Sequence, residues 1–200
     1  MDNDNENAAN PFIRIAGICA MLAPLVLIIG DAMLLTGELR FEWTIALWVS
    51  FVLFAPAIIG LTYLAAANGS RLALLGGASA FVGCLAGASM QVFFRVWAVL
   101  YEAGSPQTIE LLRSSKKLVA STQMIGIFFP LGLLILAACL YRRHLLSPIA
   151  PLSLAGAAIL FPLGRIAGLL VGVVGGDLLL LVSFFLIGRR LLSAQSLSRV

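Results

Sequence analysis

Hydrophobic positions in this chain do not alternate, and they do not recur on one helical face. They run on. Five stretches, residues 15–35, 44–66, 72–100, 118–141 and 166–187, are each long enough to cross a bilayer and almost free of charge. A hydrocarbon core of about 30 Å takes about 20 residues of α-helix at 1.5 Å each. A sixth run, 148–163, would reach only about 24 Å as a helix. Ser147-Pro148 gives it a capping residue and a first-turn proline, so it reads as a short span. Gly164-Arg165 then reads as a tight turn that makes the last two spans antiparallel neighbours. The pattern predicts an all-α polytopic transmembrane bundle of six spans over 11–191, between a polar, acidic and disordered tail at 1–10 and a cytoplasmic tail at 192–200.

Composition agrees. Apolar residues make up 61% of the chain and charged residues 11%, against roughly 45–50% and about 25% in a soluble domain. That excludes a soluble enzyme, a disordered protein and a nucleic-acid module. The net charge of +4 is scattered over helix ends and is no polyanion signature. Asp2, Asp4 and Glu6 flank the first run with the wrong sign for a cleaved signal peptide. With both termini cytoplasmic, the inner side holds Arg14, Arg71, Arg142, Arg143, Arg189, Arg190 and Arg199, and the outer side holds Arg40, Arg113, Lys116, Lys117 and Arg165. Trp43, Trp97 and Tyr101 then form an outer aromatic belt, with Tyr63 and Tyr141 inside. In the one sizeable loop, 102–117, Ser105-Pro106 opens a short amphipathic helix with Ile109 and Leu112 opposite Glu110, Arg113 and Lys116. It lies on the outer surface or, in the sharper reading, acts as a lid.

Charge inside lipid needs a reason, because Asp or Arg at a helix centre costs roughly 2.5–3.5 kcal/mol. Depth counting puts Asp31 about 9 Å and Arg95 about 13 Å beyond their span centres toward the outer face, close enough to pair. Gln91 lies one turn below Arg95, Arg165 opens the last span, and Asp177 falls at its middle in the stretch GLLVGVVGGD. Two readings follow: a structural ion-pair network, or an outward-facing polar pocket for an anionic or amphiphilic ligand with Asp177 as a protonatable carboxyl. Gly168, Gly172 and Gly176 form one small-residue ridge, and Gly83 and Gly87 another, for intramolecular helix packing or a homo-dimer face. Pro24, Pro56 and Pro130 sit near span centres as candidate kinks. PFIRIAG (11–17) and PLGRIAG (162–168) look alike but open spans one and six, which no three-plus-three duplication would relate.

No catalytic chemistry is legible. Cys19, Cys84 and Cys139 lie singly inside apolar runs, His144 is the only histidine, and GxSxG, HExxH and acidic metal clusters are absent. No metal, cofactor or enzyme activity is expected.

TQMIGIFFPLGLLILAACLYRRHLLSPI (122–149), followed by two further helices, resembles the second half of uncharacterised bacterial six-helix membrane proteins, and RIAGICAML (14–22) resembles their first span. The resemblance covers about half the chain and implies a bacterial inner-membrane bundle, with no activity or site residues attached. Two functions are expected to compete. One is a non-catalytic accessory, scaffold or sensor subunit docking a larger membrane protein. The other is a small carrier or receptor for an amphiphile.

Overall fold

The computed structural model describes residues 11–34, 41–66, 69–104, 106–115, 125–144 and 146–194. The acidic tail at 1–10, Arg40, Lys116, Lys117, Arg199 and the first part of the predicted fourth span lie outside them. Seven α-helices are described: α1 Pro11–Leu34, α2 Phe41–Ala66, α3 Arg71–Glu102, α4 Pro106–Ser114, α5 Phe128–Arg143, α6 Ile149–Ala167 and α7 Leu170–Ala194. Five are long and apolar enough to cross a membrane: α1, α2, α3, α6 and α7. The described part of α5 is 16 residues, about 24 Å.

Each long helix packs on its chain neighbour, and α7 returns to α1, so α1, α2, α3, α5, α6 and α7 close a ring. Within it, α2 also reaches α5 and α7. Phenylalanines fill the middle. Phe54 meets Phe184 at 5.0 Å and Phe129 at 5.7 Å between ring centroids, and Phe161 meets Phe129 at 5.6 Å. The outward faces are equally apolar: Leu75, Leu152 and Ile149 are exposed. Apolar groups both inside and outside suit a hydrocarbon solvent, where helix association rests on close packing and interhelical hydrogen bonds. Ser50 donates to the Ala23 carbonyl at 2.9 Å, Cys84 to the Phe51 carbonyl at 2.8 Å, and Ser79 to the Phe128 carbonyl at 2.9 Å.

Glycines set the closest crossings. A Cβ on Gly83 would stand 2.0 Å from the Phe129 nitrogen, and one on Gly132 2.2 Å from the Ala80 nitrogen, so α3 and α5 touch backbone to backbone. Gly87 receives the Phe51 ring. Gly164 and Gly172 face each other between α6 and α7, and Gly176 lies against Phe161. The Gly83, Gly87, Gly172 and Gly176 positions are therefore intramolecular helix contacts. Gly168 is not part of the ridge. It caps α6 at φ +65°, with nothing within 4 Å of a would-be Cβ.

Several expectations need correction. The turn between the last two spans is Gly168-Leu169, not Gly164-Arg165, so α6 runs to Ala167 and has spanning length. Pro130 sits in the first turn of α5, just after a break at Ile127 that separates it from the helical residues Ile125 and Gly126. Pro24 and Pro56 do lie inside helices, and so does Pro162. Trp43 is buried against Phe94 and belongs to the core, not to an interfacial belt. α7 continues to Ala194, through the start of the predicted tail. The amphipathic helix of the 102–117 loop forms as α4, which packs on α3.

Candidate functional site

Three charged side chains meet where α1, α6 and α7 come together. Asp31 lies in the last turn of α1, Arg165 in the last turn of α6, and Asp177 in the third turn of α7. Arg165 can reach both carboxylates because Gly164 and Gly172 bring α6 and α7 into backbone contact just beside it. One guanidinium nitrogen, Nη2, donates to Asp31 Oδ2 and also to Asp177 Oδ1, the latter at 3.2 Å. Nη1 donates to the Phe161 carbonyl at 3.4 Å. One turn back along α6, the Phe161 ring lies under the guanidinium, 3.7 Å from Cζ to centroid. The carboxylates are 4% and 3% exposed as residues, while 28% of the Arg165 side chain remains accessible. The cluster is thus closed on its two anions and open only at its cation. A planar, multi-donor cation with an apolar face suits that task better than a lysine would.

The pairing expected for Asp31 is not the one found. Arg95 stacks on Trp48 of α2, its guanidinium carbon 5.3 Å from the ring centroid, and Arg165 takes Asp31 instead. Depth counting placed both arginines in the same half of the bilayer, but α1 borders α2 and α7, not α3. Gln91 is buried on α3, and its Oε1 has no hydrogen-bond partner among the described residues. It lies with Arg95, Phe94 and Trp97 on α3, apart from the triad. Of the five polar candidates, the structure therefore joins Asp31, Arg165 and Asp177 and separates Gln91 and Arg95. Phe161 also belongs to the site, and its only signal in the sequence is its spacing of four residues before Arg165. Among the described residues no His, Cys, Asp or Glu group is arranged to hold a metal ion.

An ion cluster joining three helices within a phenylalanine-filled bundle defines a helical membrane protein with a charged interhelical clamp. No protein-family model, curated protein or solved structure matches the chain.

Proposed function

We propose that the protein is a six-span, non-catalytic accessory, scaffold or sensor subunit of a bacterial cytoplasmic membrane, docking a larger membrane protein. Its support is the turn between α6 and α7. Ile166 and Val171 are 81% and 85% exposed, and Leu169 and Leu170 beside them are more than half exposed. These four residues make an apolar tip directly beyond the Asp31–Arg165–Asp177 clamp, which holds the hairpin to α1. A rigid apolar tip at a helix turn suits insertion between the helices of a partner. The orientation is supported by charge. Among the described residues, the end where α1 begins carries Arg14, Arg71, Arg142, Arg143, Arg189 and Arg190 and no carboxylate, the balance of a cytoplasmic face.

A photo-crosslinking residue at Val171, compared with one at Leu75 on the outward face of α3, tests the docking reading in native membranes. The expectation is a single discrete protein adduct from position 171 and only lipid adducts from position 75. Lipid adducts alone from both positions would refute it. The carrier reading keeps one support, the accessible flank of Arg165. Carbodiimide labelling of Asp177 across pH addresses it, and protection at every pH removes it.

A further inference from the structure

The C-terminal end of α7 carries Leu186, Arg189, Arg190 and Ser193, spaced so that all four share one face. That face meets the turn between α5 and α6, where Leu146 and Ser147 stand. The six residues line a cleft of about 430 Å³ at the arginine-rich end of the bundle. Both arginines are exposed, and neither has an ion-pair partner among the described residues. α6 starts at the same rim, its first turn uncapped by any side chain, so its positive dipole end adds to the two guanidiniums. Below Arg189 the outward face of α7 continues as Phe185, Val182 and Leu178, all exposed and apolar, one to three turns down. A cationic recess with an apolar track leading from it has the layout of a phospholipid: phosphate above, acyl chain below.

We propose that this cleft binds the phosphodiester headgroup of an anionic phospholipid, with an acyl chain along Phe185, Val182 and Leu178. Arg189 and Arg190 supply forked donors to the phosphate oxygens. Ser147 offers a hydroxyl at the rim. The site depends on the membrane setting, but not on whether the α6–α7 tip docks a partner.

Native mass spectrometry of the full-length protein in detergent, titrated with phosphatidylglycerol, phosphatidylcholine or inorganic phosphate, tests it. The wild type is expected to hold phosphatidylglycerol in preference to phosphatidylcholine. R189Q/R190Q is expected to weaken that binding about 30-fold, taking a typical contribution for each arginine near an anionic lipid surface. R14Q/R71Q removes the same charge from the same end outside the cleft and should leave the binding within about twofold. R189K/R190K, which keeps the charge and loses the fork, should fall between them. Equal losses in the two glutamine variants would reduce the effect to general surface charge and overturn the proposal. Displacement of the lipid by equimolar inorganic phosphate would assign the cleft to a soluble anion and overturn it as well. Helical content of each variant is read alongside, and R189Q alone serves if the double variant does not fold.

Discussion

Replacing Arg165 with methionine tests whether the triad holds the bundle closed. The substitution keeps most of the side-chain volume and its contact with Phe161, and removes the one cation shared by Asp31 and Asp177. Both carboxylates are almost fully buried, so neither can turn to water without moving a helix. Removing one partner of a buried ion pair typically costs 3–5 kcal/mol, mostly from the charge left behind. Arg165 is itself partly accessible, which argues for the lower end, and two anions are stranded rather than one, which argues for the upper. A loss of about 4 kcal/mol is expected. Asp31→Asn should cost far less, about 1 kcal/mol, because it leaves Arg165 paired one-to-one with Asp177 and keeps an amide oxygen to accept. Replacing all three residues by apolar ones of similar size should recover most of the loss, since a well-packed apolar trio often matches a buried ion cluster. Reversible unfolding in mixed micelles, followed by the fluorescence of Trp43, Trp48 and Trp97, measures all three variants. If Arg165→Met costs no more than Asp31→Asn, the clamp is not what closes α7 onto α1.

Other consequences are read by the same assay or by labelling. Gly83→Ala places a methyl 2.0 Å from the backbone nitrogen of Phe129 and should destabilise by about 2–3 kcal/mol, whereas Gly175→Ala, with only Leu160 at 3.7 Å, should be neutral or slightly stabilising. Equal effects at the two glycines would contradict the α3–α5 crossing. Phe54→Ala removes the ring shared by Phe129 and Phe184. In lipid the transfer part of the usual 3–5 kcal/mol largely disappears, so about 2 kcal/mol of packing loss is expected, and a change below about 0.5 kcal/mol would mean the core is not filled. Cys19, Cys84 and Cys139 are all buried and unpaired by disulfides, so a water-soluble maleimide should label none of them in the folded protein and all of them in SDS. Rapid labelling of the native protein would show an opening into the bundle.

The spans could be read from the chain because length without charge is a one-dimensional signal. Helices α1, α2 and α3 fall within a few residues of their predicted limits for that reason. The α6–α7 boundary falls one turn later than the sequence suggests because Gly164-Arg165 has the chemistry of a turn: a flexible residue beside a charge. In the fold, that charge is neutralised by residues 134 and 12 positions away, which lets α6 run one turn further. Gly164 serves instead as the contact point for Gly172. Nothing local separates a glycine that turns the chain from one that lets two helices touch.

The same limit explains the wrong partner for Asp31 and points to what the triad contributes. Depth along a helix can be counted from the sequence, but neighbours around a ring cannot, and depth alone matches Asp31 to Arg95. Hairpin contacts such as α1 with α2 or α6 with α7 follow almost automatically from short connections. The α1–α7 contact joins the two ends of the chain and has no short connection to enforce it. At the end of the bundle where α1 begins, that closure rests on small residues: Gly17 lies against Gly188 and Leu192, and Gly60 against Ala16 and Leu191. Small-residue contacts permit close approach but leave register along the helix axis weakly determined. A guanidinium shared between Asp31 and Asp177 tolerates little sliding, because a one-turn shift of α7 moves Asp177 by about 5.4 Å and breaks the contact. The triad therefore fixes the register of a helix pair that no short connection aligns, at the end of the bundle where the apolar α6–α7 tip projects.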